Sequence, residues 1–381
     1  MALEYEDLRK KYGQFAYPLV TLTIGEEEFS QNKGKLVLSN LSVDLSTGLE
    51  ASVATFSLYN VYDKDAKEYS FSKFKAYVAL GSSVKIAMGY AGGMQEIFIG
   101  FIAQTRFVRE EGSVHHVEVT AMDVKGMMMA NSYAKSMTAT NFGDAIKEIF
   151  NRPFYQKMQS EGIYTDIKIS ETPDKKADDG SDNVSSYTVE MVSESDYEFI
   201  VKAAKRFGYE FFVDTGVLTF RKAKDTPEDV LITLGMKKGI STYDITYDIT
   251  GLVKTVEVRG MDTAKGALVK AQKSVSNKIS TGNKAKSLIS QTSRVVIDGN
   301  ATTKESAQYR ADSLMEDIQY RFGTLHCNVI GIPDIKPGHF IQIEKLGGPC
   351  DNKFYVTHTV HTIDDLSGYR TEITAIAAAL S

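Results

Sequence analysis

One stretch near the C-terminus decides the fold: Ile335–Ala377 reads IKPGHFIQIEKLGGPCDNKFYVTHTVHTIDDLSGYRTEITAIA. It opens with a turn signal, Lys336–Gly338, after which Ile341 and Ile343 alternate with polar neighbours, as in a half-buried strand. The later breaks and strands follow in the order Gly347–Pro349, Phe354–Thr362, Asp364–Gly368 and Tyr369–Ala375. The pattern predicts an antiparallel three-strand meander.

An earlier stretch, Ala79–Asp123, repeats this order of strands and breaks. In this alignment Gly81 is equivalent to Gly338, and Ala121 is equivalent to Ala375. Self-similarity within one chain indicates a duplicated structural unit, so the sequence predicts two similar tube-like antiparallel β-barrels, separated by about 200 residues of inserted material.

The predicted fold is mainly β, of the α+β type, with an inserted α/β region and connecting helices. The predicted organisation is an N-terminal arm (1–14), a first tube-like β-barrel (15–126), a helix and small α/β insert (127–229), a second tube-like β-barrel (230–265 and 320–381), and an excursion with a helix (266–319).

The inserted region shows helix-capping signals. Thr140-Asn141 precedes a run with helical spacing and is expected to provide its N-cap. Ser195 and Glu198 form a capping box for a second helix, and Gly208 stands where a C-terminal cap belongs. The segment Tyr209–Arg221 follows at once and is predicted to be a hairpin, which gives a compact α/β insert.

Two segments of the insert have alternative interpretations. Met127–Met129 is expected to pack in a core, the alternative being an adaptable binding surface. Thr172–Asn183 is rich in acidic residues, which raises the possibility of calcium binding. Its spacing lacks the alternate oxygen ligands, central Gly and terminal Glu of the twelve-residue calcium loop, so a solvated loop is expected.

Composition describes an ordinary globular chain: 381 residues, 43% hydrophobic, with a formal net charge of −5. We see no basic stripe interleaved with aromatic residues, so direct nucleic-acid recognition is not expected. Cys327 and Cys350 are expected to be small buried hydrophobic residues rather than a disulfide. The N-terminus lacks the features of a signal peptide, and no run of about 18 apolar residues predicts a membrane span.

A family resemblance begins at the second insert helix, where Ser195–Ile200 reads SDYEFI and Arg206–Val213 reads RFGYEFFV. This block resembles the helix and aromatic hairpin of the phage late control D family, tail hub proteins of contractile phage tails and tailocins that are related to the VgrG spike proteins. Val253–Asp262 is similar to the strand that opens the second barrel of the family, with Met261 where an aromatic residue is commoner. Further similar segments are Thr303–Ile318, Ile332–Gly338, His361 and Gly368–Thr371.

The resemblance implies a structural baseplate or tail hub protein without cofactors. A homotrimer of duplicated barrels would form a pseudo-sixfold ring that joins a tail tube protein to a spike and contacts other baseplate proteins. VgrG proteins continue into a β-helical spike, and this sequence stops at Ala377–Ser381, so the spike is expected to be a separate protein. The implied location is the bacterial cytoplasm during assembly and then a virion tail or a released tail-like particle.

Motifs of catalysis or metal binding are absent from the sequence: there is no Gly-x-Ser-x-Gly, His-Glu-x-x-His or phosphate loop. His358 and His361 lie three apart, so on one strand they are expected to face opposite sides, with His358 on the core side. Asp364-Asp365 and Glu110-Glu111 are expected in solvated turns. The alternatives to a hub are a tail-associated cell-wall hydrolase and a carbohydrate-binding module, which a peptidoglycan zymogram and a glycan array would identify.

Four charged residues are candidates for the assembly interface: Glu257, Arg259, Arg370 and Glu372. Alternation places Val256 and Val258 on the core side of their strand, so Glu257 and Arg259 point outward. In the last strand Tyr369, Thr371 and Ile373 are expected to face the core, so Arg370 and Glu372 also point outward. Opposite charges on barrel exteriors suit pairing between neighbours in a ring, although a solvated surface explains them equally well.

Overall fold

The computed structural model describes residues 3–29, 35–174, 189–226, 229–262, 265–275, 282–364 and 368–380. The segment expected to be a solvated acidic loop lies outside these residues from position 175 onward, as do residues 365–367 of the expected Asp364–Gly368 turn. The first part of the chain contains α1 (Tyr5–Lys11), β1 (Pro18–Ile24), β2 (Glu27–Glu28), β3 (Val37–Ser46), β4 (Val53–Tyr59), β5 (Tyr62–Asp63), β6 (Glu68–Tyr69), α2 (Phe71–Phe74), β7 (Ser83–Tyr90), β8 (Gly93–Val108) and β9 (His116–Met122).

The inserted α/β region comes next and has its own hydrophobic core. Its elements are α3 (Lys125–Met128), β10 (Tyr133–Ser136), α4 (Phe142–Phe150), α5 (Pro153–Ser160), β11 (Asp166–Ile169), β12 (Glu190–Glu194), α6 (Asp196–Phe207), β13 (Tyr209–Asp214) and β14 (Val217–Lys222). Asn141 caps α4, Ser195 and Glu198 form the capping box of α6, and Gly208 ends α6 in the left-handed conformation, as predicted. The hairpin β13–β14 is also confirmed.

The last part contains β15 (Val230–Leu234), β16 (Ile240–Tyr247), β17 (Thr255–Asp262), β18 (Ala267–Ser274), α7 (Gly282–Ile289), β19 (Ser293–Ile297), α8 (Lys304–Gln319), β20 (Gly323–Ile330), β21 (Phe340–Ile343), β22 (Lys353–Asp364) and β23 (Gly368–Ala377). Both cysteines are free, and Cys327 is buried.

A thirteen-stranded sheet runs through both ends of the chain in the order β16-β20-β23-β22-β3-β4-β9-β8-β7-β1-β2, with β21 paired to β22 and β15 paired to β21. The predicted meanders β7-β8-β9 and β21-β22-β23 are both present and antiparallel. The mainly β fold class is therefore confirmed. One hydrophobic core includes strands from both meanders, because side chains of β7 and of β21 belong to the same cluster.

The two meanders have the same hydrogen-bond register. Ile102 pairs with Ala121 and Val356 pairs with Ala375, and in both cases a β-bulge follows at once in the longer strand. A bulge is a localised irregularity, so its recurrence at equivalent positions is strong evidence of a shared backbone design. The predicted equivalence of Ala121 with Ala375 is confirmed.

Gly81 and Gly338 also occupy equivalent places. Their φ angles are +82° and +91°, a region in which glycine is favoured. The Gly81 N–H donates to the carbonyl of Ile102, and the Gly338 N–H donates to the carbonyl of Val356, each at 2.9 Å. The two glycines therefore form the same turn before the same meander.

The duplication extends to six strands in chain order: β1, β3, β4, β7, β8 and β9 correspond to β15, β16, β20, β21, β22 and β23. The pairings match throughout, except that β1 is antiparallel to β7 whereas β15 is parallel to β21. We call these two sets of strands unit 1 and unit 2. The second set is interrupted between β16 and β20 by the segment from β17 to α8.

That interruption corrects one prediction. Val253–Asp262 was expected to provide a barrel strand, but β17 forms a separate sheet with β18 and β19. Val256 and Val258 are fully buried, as the alternation predicts, because they pack in a core with α8 residues such as Ala307 and Ala311. An alternating strand buries its apolar face equally well against a helix or inside a barrel, so the pattern did not distinguish the two.

Candidate assembly surfaces

The two units meet at a seam, defined here as the pairing of Leu41–Ser46 in β3 with His358–Ile363 in β22. The strands are antiparallel and their hydrogen bonds make the sheet continuous between the units. β3 is the first strand of its four-strand row β3-β4-β9-β8, and β22 is the last strand of the equivalent row β16-β20-β23-β22. The seam is therefore a head-to-tail contact between repeats.

The core-facing side of the seam is closely packed. Val43 lies opposite His361, and both side chains are fully buried. His361 Nε2 donates to the carbonyl of Ile335 at 3.0 Å, and its Nδ1 lies 3.0 Å from the hydroxyl of Tyr369 and 3.1 Å from that of Thr371. Burial lowers the pKa of His361 to about 4, so the ring is neutral near pH 7.

On the other side of the seam His358 Nε2 donates to Asp44 Oδ1 at 2.6 Å. This hydrogen bond raises the pKa of His358. The two histidines do face opposite sides, but His358 was wrongly expected on the core side: the bulge between Val356 and His358 reverses the alternation, so that His361 becomes the core residue.

Arg370 and Glu372 project from the same polar face of the large sheet. Both are exposed, and both alternate with the buried residues Tyr369, Thr371 and Ile373. Their strand, β23, lies between β20 and β22, so both of its backbone edges are already paired. Only the side chains of this strand are therefore available for a contact on this face.

Glu257 and Arg259 lie elsewhere, on the outer face of the sheet formed by β17, β18 and β19. Arg259 Nε is 2.5 Å from Glu257 Oε1, so the two form an ion pair within one strand. In the neighbouring β19, Val295 lies opposite Glu257 and Ile297 lies opposite Arg259, and Ile297 is 85% exposed. The four candidate residues thus belong to two separate surfaces.

A buried polar cluster joins the insert to unit 2. Arg221 of β14 donates to Glu210 Oε2 at 3.2 Å, to the carbonyl of Gly338 at 3.0 Å and to the hydroxyl of Tyr355 at 3.1 Å. The Tyr355 hydroxyl donates to Glu210 Oε1 at 2.7 Å, and burial raises the pKa of Tyr355. The cluster holds the hairpin against the turn at Gly338.

Unit 1 is joined to the insert by a buried lysine. Lys125 is fully buried, and its Nζ donates to the backbone carbonyls of Gly48, Glu50 and Phe211. Gly48 and Glu50 follow β3, whereas Phe211 lies in the hairpin of the insert. Burial lowers the pKa of Lys125 because the charged form is desolvated.

The N-terminal arm forms α1 and contacts unit 2. Tyr12 donates to Asp334 Oδ2 at 2.5 Å, and Lys11 Nζ lies 3.0 Å from Asp334 Oδ1. Tyr12 is fully buried and its ring lies 5.9 Å from that of Tyr90 in β7. The arm therefore bridges the two units beside the seam.

Among the described residues, no group of three or more His, Cys, Asp or Glu side chains is placed to hold a metal ion. No helix in the described part of the chain is long and apolar enough to cross a membrane.

The fold is that of solved phage tail proteins. A tail protein from Neisseria meningitidis MC58 matches with a TM-score of 0.64 and 14% identity, covering 96% of this chain and 98% of that one. The 43 kDa tail protein of prophage MuSo2 from Shewanella oneidensis matches with a TM-score of 0.65 and 14% identity over 95% and 98% of the two chains. The E. coli c3393 protein, described as a type VI secretion component with structural similarity to T4 tail proteins gp27 and gp5, matches with a TM-score of 0.53 and 10% identity over 93% and 76%.

The family of this chain is shown by a match of its sequence to a family model. The model of the Alg8 N-terminal domain matches residues 37–365, and the chain belongs to that family. The matched range begins at β3 and includes the insert, the seam and most of unit 2. No curated protein matches the sequence.

Proposed function

We propose that this protein is a structural baseplate or tail hub component of a contractile phage tail, a tailocin or a related injection system. Three chains form a pseudo-sixfold ring that joins the tail tube to a separate central spike. The observation that carries this proposal is the head-to-tail seam: one chain holds two equivalent four-strand rows, placed side by side as neighbours in a ring would be.

Symmetry explains why such a duplication is useful. A threefold assembly of a chain with two equivalent units presents six similar units around one axis, which matches a sixfold tube on one side and a threefold spike on the other. The solved proteins of similar fold, named as phage tail proteins and a type VI secretion component, support this assignment. The resemblance to late control D and VgrG proteins points to the same role.

The role is structural rather than enzymatic. Two polar side chains hold the insert in place: Arg221 joins it to unit 2, and Lys125 joins it to unit 1. The protein is assembled in the bacterial cytoplasm and becomes part of a virion tail or a released tail-like particle, where it contacts the tube, the spike and other baseplate proteins.

The mass of the native oligomer tests the proposal. Light scattering coupled to gel filtration, over a range of concentrations, is expected to reach three times the chain mass of 42.1 kDa. A stable dimer contradicts the ring. Purified particles provide the second measurement: the ratio of this chain to the tube protein in one tube layer is expected to be three to six.

A further inference from the structure

The small sheet of β17, β18 and β19 has two edge strands, and only one of them is protected. β17 lies in the middle, and no described strand pairs with the outer side of β18 or of β19. β18 carries the exposed Lys270 and Lys273, and lysines are a usual protection of edge strands. β19 instead contains Val295-Val296-Ile297, three β-branched residues in succession without a lysine or a proline. Such an apolar edge is a template for pairing with another strand.

The free edge of β19 presents backbone groups at known positions. At one end of the strand the Asp298 N–H donates to the carbonyl of Arg259 in β17 at 2.9 Å. At the other end the Thr292 carbonyl accepts from the Lys254 N–H at 3.1 Å. Successive residues of a strand direct their backbone groups to alternate sides, so the residues of opposite parity turn theirs to the open side. These residues are Ser293, Val295 and Ile297.

The outer face of the same sheet carries a row of apolar side chains. Met261 of β17 pairs with Leu268 of β18. Ile297 of β19 lies opposite Arg259, which places it diagonal to Met261. The exposed fractions of Met261, Leu268 and Ile297 are 55%, 61% and 85%. This apolar row therefore crosses all three strands in contact with solvent, and contiguous exposed apolar patches mark sites of protein interaction.

The surroundings of this edge are basic. Lys270 lies opposite Arg259, so two cations stand side by side on the outer face. Within the described part of the chain Arg259 pairs with Glu257, whereas Lys270 and the exposed Arg294 of β19 have no carboxylate partner. Over 252–262, 265–275 and 282–298 there are eight Lys and Arg against three Asp and Glu, although the whole chain carries a net charge of −5. Like charges opposite each other in a sheet are unfavourable, so this surface suits an acidic partner.

We propose that β19 accepts an extended acidic segment of another tail protein as an additional strand, and that this partner also covers the apolar row. Side chains of an added strand alternate between the two faces of the sheet. Those opposite Val295 and Ile297 are expected to be apolar, and those beside Arg294 are expected to be carboxylates. The surface is separate from the seam, and the inference rests on the proposed function in naming a tail protein as the source of the segment.

Photo-cross-linking from position 297 tests this surface. A benzophenone amino acid replaces Ile297 in the full chain, and tail particles are purified from the cells that produce it. The particles are irradiated, and the cross-linked peptides are identified by mass spectrometry. We expect one partner protein, cross-linked within a segment in which apolar residues alternate with Asp or Glu.

Two substitutions at one position distinguish strand addition from ordinary side-chain contact. Val295→Pro removes an N–H from the open side of β19, where proline is tolerated because no hydrogen bond to β17 is lost. Val295→Thr keeps that N–H and has a side chain of similar shape. We expect Val295→Pro to lower the cross-link yield about tenfold and Val295→Thr to lower it less than about threefold, since only the first loses a backbone hydrogen bond and blocks the edge.

A charge reversal tests the acidic character of the partner. Arg294→Glu is expected to lower the cross-link yield about fivefold, because it places like charges beside each other in the extended sheet. Lys157→Glu is the matched control, since it makes the same change of charge on an exposed helix of the insert, and it should leave the yield unchanged. Circular dichroism and light scattering establish that each variant keeps its fold and its mass.

The outcomes separate this proposal from the hub proposal. A cross-link to a second copy of this chain, to nucleic acid or to a segment without carboxylates overturns the strand addition, as do equal yields from the two Val295 variants. If the chain is present in particles and no cross-link forms, the strand addition is overturned and the hub proposal stands.

If the chain is absent from tail particles, the hub proposal fails and the surface is tested on the isolated chain. The probe is then a labelled synthetic peptide in which valine and glutamate alternate, and its binding is measured by fluorescence anisotropy. Binding that Val295→Pro abolishes and Val295→Thr retains supports the surface. Absence of binding, or binding that both variants retain, overturns it.

Discussion

His358 of β22 donates a 2.6 Å hydrogen bond to Asp44 of β3, although these residues are more than 300 positions apart in the chain. The bond crosses the seam on its polar side, while the buried pair of Val43 and His361 closes the other side. The seam therefore contains two histidines with opposite electrostatic surroundings, and we expect them to respond to pH in opposite directions.

The first expectation concerns His358, whose pKa is raised by Asp44. A group whose pKa is higher in the folded state than in the unfolded state stabilises the fold when it is protonated. This contribution is complete below the unfolded pKa of about 6.5 and is lost as pH rises through the folded pKa. The side chain is 35% exposed, so the effect is at most about 1 kcal/mol. Urea denaturation from pH 5.5 to 8.5 should show His358→Gln losing stability relative to wild type at the acid end, with a smaller difference at the alkaline end. A constant difference would contradict the ion-pair account.

The second expectation concerns His361, whose pKa is lowered to about 4 by burial. A lowered folded-state pKa means that the unfolded chain binds the proton first, so stability is lost as pH falls from about 6.5 toward 4, by about 3 kcal/mol in total. His361→Gln should flatten this part of the profile, whereas His358→Gln should retain it. The measurement is the free energy of unfolding at half-unit pH intervals, and an unchanged acid slope in His361→Gln would refute the assignment.

The third expectation concerns the close approach of Gly331 to Tyr369. A Cβ on Gly331 would lie 2.1 Å from Cγ of Tyr369, and the Gly331 carbonyl accepts a hydrogen bond from Tyr90 at 2.8 Å. Gly331→Ala must displace a buried ring, so we expect a loss of about 3 kcal/mol in the free energy of unfolding. Gly299→Ala is the matched control, because a Cβ there meets no atom within 4 Å. Equal effects of the two substitutions would argue against the close packing.

The fourth expectation concerns the cluster of Arg221, Glu210 and Tyr355. The side chains of Arg221 and Glu210 are only 18% and 8% exposed. Removing one partner leaves the other charge buried and uncompensated, so Arg221→Gln should cost about 3–5 kcal/mol. Lys202→Gln removes a surface pair with Glu194 and should cost less than about 1 kcal/mol. Limited proteolysis should also cleave the insert of Arg221→Gln faster than that of wild type; unchanged protection would mean that the cluster does not hold the hairpin.

Local sequence signals predicted the local structure well. The helix caps at Asn141, Ser195 and Gly208 are present as predicted, and the turn glycines Gly81 and Gly338 placed both meanders correctly. These features depend on the backbone preferences of a few adjacent residues, which the sequence expresses directly. The division of the chain into domains at the predicted boundaries remains a prediction.

Long-range contacts could not be predicted in the same way. Nothing in the pattern of β3 or β22 indicates that they pair with each other, because many alternating strands satisfy the same periodicity. The Arg221 cluster was missed for a related reason: Glu210 and Arg221 read as ordinary hairpin charges until the fold brings Tyr355 beside them. At β17 the alternation correctly predicted which residues are buried, but the strand was assigned to the wrong sheet, because it pairs with β18 and β19.

The last expectation concerns the four charged candidates, which remain proposed assembly residues on two separate surfaces. Glu257→Arg with Arg259→Glu exchanges the charges within an existing ion pair. Arg370→Glu with Glu372→Arg exchanges two exposed charges on β23, and neither double variant changes the net charge. Rim charges contribute about 0–1 kcal/mol each, but an exchange alters every symmetry-related contact together.

Both edges of β23 are paired within the chain, so the β23 exchange should leave the trimer mass unchanged and reduce incorporation into particles several-fold. The β17 exchange lies beside exposed Ile297, and it should reduce incorporation by a similar factor. Circular dichroism establishes folding, light scattering gives the mass, and the chain content of purified particles gives incorporation. Normal incorporation of either double variant would assign that pair to a solvated surface.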